Sequence, residues 1–179
     1  MNHPPIFFSR IRPVNKPSRG TKRSAGIDFF VPDFTPEFVK DLRSKNPEVT
    51  ILYEEIDKIR HLPLIVLAPG ERINIPSGVR VRCPEDHALF AKNKSGVGTK
   101  KGLDKLAELG DEDYQGELHI SVTNSGTRLQ FIKPGEKLIQ FVAAPVHLGE
   151  ATELPDDQLF TEITERGTDG FGSTDEKKM

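Results

Sequence analysis

The stretch GELHISVTN, residues 116–124, decides the fold because apolar and polar side chains alternate along it. Leu118, Ile120 and Val122 fall on one side of an extended chain, and the polar residues between them fall on the other. This period of two predicts a β-strand with one buried face. Other strand-like runs lie on both sides of it, at residues 73–82, 129–132 and 138–142. Short strands spaced about ten residues apart predict an all-β sandwich or barrel.

Proline and glycine mark the expected turns. Pro76-Ser-Gly78 stands in the middle of residues 73–82, where it predicts a turn between two strands. Lys133-Pro-Gly-Glu136 has proline at the second and glycine at the third position, the pattern of a β-turn.

Residues 34–62 depart from the strand pattern. Phe38, Val39 and Leu42 are spaced as on one face of a helix, and Pro36 suits a first helical turn. A further helical turn is expected within residues 54–60. We therefore expect a small helical insertion, about residues 34–62, on an all-β body.

Composition excludes several classes of protein. The 179 residues favour one domain, and the net charge of -2 gives no reason to expect nucleic acid or an anionic membrane as a partner. No apolar run approaches the roughly 18–20 residues that span a bilayer. The single cysteine, Cys83, excludes an internal disulfide and is expected to be a small apolar core residue. The expected compartment is a reducing cytoplasm, that of the host if the source is viral.

Five segments combine glycine with polar groups more than packing requires: SAGID (24–28), KNKSGVGTKKG (92–102), LGDEDYQGE (109–117), PGEKLIQFV (134–142) and ERGTDGFGST (165–174). Glycine N–H groups and four lysines in the second segment suit phosphate, although a solvated loop is an equal alternative. The acids of the third segment suit a general base, a metal ligand or a plain acidic turn. Gln140 in the fourth is either a structural hydrogen-bonding group or a ligand contact.

In this order the five segments resemble the five motifs of the trimeric deoxyuridine triphosphatases. The resemblance implies a distorted jelly-roll β-barrel or sandwich over residues 1–164, with a flexible C-terminal arm, residues 165–179, that closes over the active site. It implies a homotrimer with shared active sites. The implied reaction is hydrolysis of dUTP to dUMP and pyrophosphate, which limits uracil in DNA, and the implied cofactor is Mg²⁺, held mainly by the triphosphate.

The resemblance also assigns roles to individual residues. Asp111 matches the carboxylate that activates the attacking water, and Arg166 matches the catalytic arginine of the arm. Tyr114 matches the ring under the deoxyribose, and Asp28 matches an acid that supports the metal indirectly, through water. The matched substrate-binding positions are Lys94, Ser95, Gly96, Lys105, Gly110, Tyr114, Gln140, Phe171, Gly172, Ser173 and Thr174.

Some positions depart from the family pattern. Lys94 stands where arginine is usual, so the charge is kept without the bidentate fork. Asp169 and Asp175 add acids to the arm, and no base-reading amide stands near Lys105. A pyrophosphatase for 5-substituted dUTP or dCTP therefore stays open, as does a non-catalytic nucleotide-binding regulatory relative. Deamination of dCTP is disfavoured because Ser121 occupies the place where that class carries glutamate.

Overall fold

The computed structural model describes residues 4–55 and 61–168. The chain forms two compact units, Met1–His147 and Leu148–Met179. The elements of the first unit are β1 Phe7–Arg10, β2 Ile27–Asp28, α1 Pro36–Lys45, β3 Thr50–Glu55, β4 His61–Leu67, β5 Arg72–Arg82, β6 His87–Asn93, α2 Ser95–Lys101, β7 Leu103–Lys105, β8 Leu109–Gly110, β9 Glu117–Asn124, β10 Gln130–Ile132 and β11 Ile139–Pro145. The described part of the second unit contains one short helix, α3 Asp156–Leu159.

The strands of the first unit form three antiparallel sheets. Their strand orders are β1-β5-β9-β7, β2-β11-β6-β8 and β10-β4-β3. Most neighbours within a sheet are distant in sequence, so the connections cross between sheets as they do in jelly-roll folds. The all-β fold predicted from the sequence is confirmed. Among the described residues, no helix is long and apolar enough to cross a membrane.

The strand with alternating residues lies at the centre of the core. Leu118, Ile120 and Val122 of β9 are buried, with Ile120 fully inaccessible, and the residues between them are partly exposed. They pack in one cluster with Ile75 of β5 and Phe141 of β11. Burying one such side chain contributes roughly 1.5–3 kcal/mol. The face predicted from the period of two is therefore the face that holds the sheets together.

Helix α1 confirms the predicted helix within the insertion. The Thr35 hydroxyl accepts the N–H of Phe38 at 3.2 Å and caps the helix, while Phe38 and Leu42 are buried in the core. At the other end, Asn46 bonds the backbone N–H and C=O of Asn74 at 2.8 and 2.9 Å. The insertion is thus fixed to β5 at both its apolar face and its C-terminus.

Two expectations about local structure are wrong. The expected second helical turn is replaced at residues 54–55 by the end of β3, which pairs with β4; residues 56–60 lie outside the described residues. The Pro76-Ser-Gly78 sequence does not end a strand, because β5 continues through it with a register shift against β9 and a φ of 75° at Gly78. Such a shift is a β-bulge, which bends a strand without stopping it. The turn at Lys133-Pro-Gly-Glu136 is confirmed by the Glu136 N–H to Lys133 O bond and by the positive φ of Gly135.

Cys83 is buried and unoxidised at the end of β5, as the sequence predicts. Burial raises the pKa of its thiol, and the charge of Glu112 raises that pKa further. The thiol is therefore kept in its protonated, unreactive form.

Candidate active site

A tight hairpin between β8 and β9 presents Asp111 and Tyr114. The Tyr114 N–H bonds the Asp111 carbonyl at 3.2 Å, so the four residues form one turn. The Tyr114 hydroxyl donates to the backbone carbonyl of Glu117 at 3.1 Å. A Cβ on Gly116 would lie 2.3 Å from the Tyr114 oxygen, so the ring packs directly on a glycine. Asp111 remains exposed at the tip.

The hairpin forms one wall of a cavity of about 270 Å³. Gly110, Asp111 and Tyr114, three of the predicted site residues, line it together. The floor comes from the polar face of β9, where His119 and Ser121 point the opposite way from the core residues. The structure therefore brings the predicted water-activating acid and the predicted sugar-packing ring to one cavity.

His119 was not singled out by the sequence, although its place on the polar face of β9 was evident. Burial lowers the pKa of its imidazole, and the charge of Glu117 opposes that effect in part. Its Nε2 atom is buried without a hydrogen-bond partner among the described residues. The cavity floor therefore carries a histidine that burial keeps neutral.

The predicted phosphate segment is a short helix, α2, rather than an open loop. Lys94 precedes it in an extended conformation, and Gly102 ends it with a φ of 66°. The first N–H groups of a helix, here those of Ser95 and Gly96, have no acceptor within the helix and favour an anion. Lys94 and Ser95 line a surface depression that shares no lining residue with the Asp111 cavity.

Asp28 is buried beside this helix and holds two lysines. Its Oδ1 atom contacts the Lys94 ammonium at 2.5 Å, and its Oδ2 atom contacts the Lys137 ammonium at 3.2 Å. Both oxygens are thus engaged by cations. In the described ranges, 4–55 and 61–168, no group of three or more acidic, histidine or cysteine side chains is placed to hold a metal ion.

Asn93 joins three of the motif segments, and sequence reasoning missed it. Its backbone carbonyl accepts the Gln140 amide at 3.0 Å, and its side-chain oxygen accepts the Lys105 N–H at 2.9 Å. Its amide also donates to Asp104 at 2.5 Å. Gln140 therefore has the structural bond that the sequence left as one of two alternatives. The signal for Asn93 was its position at the end of a strand, directly before Lys94.

Gln140 also explains the glycine of the first motif. A Cβ on Gly26 would lie 2.0 Å from the Gln140 Oε1 atom. The two residues belong to facing parts of the sheet that contains β2 and β11. Gly26 is thus required for close approach of a side chain, whereas the side chain of Lys105 is turned towards Glu108, with which it forms an ion pair.

The arm residues are not part of this geometry. Arg166 is exposed and belongs to the second unit. Phe171, Gly172, Ser173 and Thr174, together with the departures at Asp169 and Asp175, lie outside the described residues.

The sequence comparisons agree with the hairpin, helix and core described above. Residues 60–175 match the family model for dUTPase. The deoxyuridine 5'-triphosphate nucleotidohydrolase of Chlamydia trachomatis serovar L2 is 34% identical over 114 residues, which are 63% of this chain and 77% of that protein. That of Methylobacillus flagellatus is 40% identical over 111 residues, 60% of this chain and 71% of that protein.

Solved structures show the same fold. A dUTPase of Staphylococcus bacteriophage 80alpha with dUpNHpp is 21% identical, covers 94% of this chain and 97% of its own, and has a TM-score of 0.67. The EIAV dUTPase is 18% identical, with coverages of 86% and 99% and a TM-score of 0.58. The chain belongs to the dUTPase family, and the predicted family and enzyme class are confirmed.

Proposed function

We propose that this protein hydrolyses dUTP to dUMP and pyrophosphate. The observation that carries the proposal is the hairpin cavity, in which Asp111 and Tyr114 face the same space. Membership of the dUTPase family supports it. Ser121 on the cavity floor also supports hydrolysis over deamination, since the deaminase class needs a glutamate there.

Asp111 acts as the general base in this proposal. Its exposed carboxylate takes a proton from a water molecule as the water oxygen bonds to the α-phosphorus. The bond between that phosphorus and the bridging oxygen breaks, and pyrophosphate leaves with the bonding electrons. Tyr114 packs under the sugar, where a 2′-hydroxyl would clash, so shape selects deoxynucleotides.

Mg²⁺ is the proposed cofactor, and the residues present fit an indirect mode of binding. Because two lysines engage both oxygens of Asp28, that carboxylate can reach a metal only through water. The triphosphate is then the main ligand, and the ion neutralises its charge. A structure of the dUTPase from phage phi11 of S. aureus contains a structural Mg(II) ion.

The phosphates are proposed to meet helix α2. The Ser95 and Gly96 N–H groups and the Lys94 ammonium supply positive potential there. The family resemblance adds Arg166 and residues 171–174, and truncation after residue 164 tests them: turnover should fall while nucleotide hydrolysis by the intact chain is unaffected.

We infer that the active unit is a homotrimer with shared sites. In one chain the α2 depression and the hairpin cavity have separate linings, an arrangement that suits a site completed by a neighbouring subunit. Sedimentation analysis tests the trimer. Mixing an Asp111→Asn chain with a Ser95→Ala chain tests the sharing, because mixed trimers should recover part of the activity that each variant lacks.

A substrate panel tests the reaction itself. Pyrophosphate release is measured with dUTP, dCTP, dTTP, UTP and a 5-substituted dUTP, each with Mg²⁺, and dUTP is expected to be the best substrate. Release from another deoxynucleotide but none from dUTP would refute the proposed substrate. No release from any of them, with nucleotide binding intact, would favour the non-catalytic relative.

A further inference from the structure

A charged cluster lies behind the hairpin and has no part in the reaction proposed above. One guanidinium nitrogen of Arg12, Nη2, contacts Glu117 Oε2 at 2.5 Å and Asp41 Oδ2 at 3.0 Å. The three side chains are only 20%, 12% and 29% exposed, respectively. They come from the segment after β1, from β9 and from the insertion helix α1. The cluster therefore ties three remote parts of the first unit together beside the active-site hairpin.

Glu117 is the central member of this cluster. Its second oxygen, Oε1, accepts the N–H of Gly78 at 2.5 Å, at the bulge of β5. Gly78 has a φ of 75°, and a Cβ there would lie 2.6 Å from the Arg12 side chain, so the bulge must be glycine. Both carboxylate oxygens of Glu117 are thus held, and its main chain is fixed against β5.

The main chain of the same residue holds the sugar-packing ring. The Tyr114 hydroxyl donates to the Glu117 carbonyl, and the ring rests on Gly116, one residue before. Tyr114 is itself 44% exposed, so few other contacts restrict its ring. The orientation of the ring is therefore determined by the place where the Glu117 main chain is anchored.

We propose that Glu117 is a positioning residue for sugar selection, and that Arg12 and Asp41 support it. Its carboxylate anchors the start of β9, the anchored carbonyl orients Tyr114, and the ring then excludes a 2′-hydroxyl. Through Asp41, helix α1 of the insertion contributes to the choice between deoxyribose and ribose. This inference rests on the proposed function, in which Tyr114 packs under the sugar.

The experiment compares kcat and KM for dUTP and UTP in Glu117→Ala, Glu117→Gln and the wild type. Misplacing a positioned group by about 1 Å costs up to about 100-fold in rate. We expect the ratio of kcat/KM for dUTP over UTP to fall about tenfold in Glu117→Ala and less in Glu117→Gln, mainly through KM. Asp41→Asn should have the smallest effect, because Arg12 keeps its contact with Glu117.

The matched control is Glu112→Gln, on the same hairpin. The Glu112 carboxylate accepts the Asp86 N–H at 2.8 Å and does not contact Arg12. Gly116→Ala, which displaces the ring directly, shows how far the ratio falls when Tyr114 moves. If Glu117→Ala does not fold, as judged by circular dichroism, Glu117→Gln decides.

Two results overturn the inference: an unchanged ratio in folded Glu117 variants while Gly116→Ala lowers it, or an equal fall in Glu112→Gln. Failure of the proposed function looks different, because the wild type would then not hydrolyse dUTP or would not prefer it to UTP.

Discussion

Lys94 and Asp28 form an ion pair at 2.5 Å in which the carboxylate is buried, its side chain being only 7% exposed. Lys137 shares the same carboxylate from its other side. One buried negative charge thus holds two ammonium groups near the N-terminus of α2. Such a charge cannot be removed without leaving both cations uncompensated.

Asp28→Asn is therefore expected to lower the free energy of unfolding by about 1–3 kcal/mol, less than the loss for a fully buried pair because both lysines are partly exposed. Urea denaturation at neutral pH measures the loss. The control is Glu136→Gln, which removes the more exposed pair with Lys101 and should cost about 1 kcal/mol or less. Equal losses in the two variants would contradict a special role for the Asp28 pair.

Gly26→Ala is expected to destabilise the first unit by about 1–3 kcal/mol, because the added methyl group would overlap the Gln140 side chain. The double variant Gly26→Ala with Gln140→Ala isolates this cause. In the Gln140→Ala background the space is free, so the same substitution at position 26 should cost much less. Additive losses in thermal or urea unfolding would show that the overlap is not the reason for the glycine.

Asp111→Asn is expected to reduce kcat by about 10²–10⁴-fold, the usual contribution of a general base, while nucleotide binding is kept. Calorimetric titration with the non-hydrolysable analogue dUpNHpp measures binding separately from turnover. Asp113→Asn, on the same exposed turn, is the matched control and should retain most activity. Turnover by Asp111→Asn at the wild-type rate would exclude Asp111 as the base.

The buried imidazole of His119 predicts how stability depends on pH. Burial lowers its folded-state pKa below the unfolded value of about 6.5, so the unfolded chain binds a proton more readily. Its contribution is therefore fully present above about pH 6.5 and is lost as the pH falls below that value. His119→Gln should show a smaller loss of unfolding free energy between pH 7 and pH 5.5 than the wild type.

His147→Gln replaces an exposed histidine and serves as the control for this pH series. It is expected to follow the wild type. If His119→Gln loses as much stability on acidification as the wild type does, the pH dependence comes from other groups.

Local patterns in the sequence predicted the elements that local physics determines. The alternation around Ile120 gave the central strand and its buried face, and the spacing of Phe38 and Leu42 gave helix α1. The glycine of Lys133-Pro-Gly-Glu136 gave a turn because its left-handed conformation is a property of four adjacent residues. The third motif gave Asp111 and Tyr114, which the structure brings to one cavity.

Contacts between distant segments could not be predicted in the same way. Arg12 and Glu117 are 105 residues apart, and nothing in either neighbourhood indicates the other. Asn93 gave little signal because its three bonds depend on how β6, β7 and β11 are arranged. Pro76-Ser-Gly78 resembles a turn, yet pairing of β5 with its neighbours on both sides carries the strand through it. Pairing across sheets overrode local preference there.

Asn46 and helix α1 have a consequence for engineering this enzyme. The match to the family model begins at residue 60, so α1 precedes the part of the chain shared with the family in that comparison. Yet Phe38 and Leu42 fill the same core as the strands, and Asn46 closes the backbone of β5. A minimal enzyme trimmed to the shared part would expose a hole in its own interior. The insertion is a keystone of the folding unit, and it cannot be excised as an appendage.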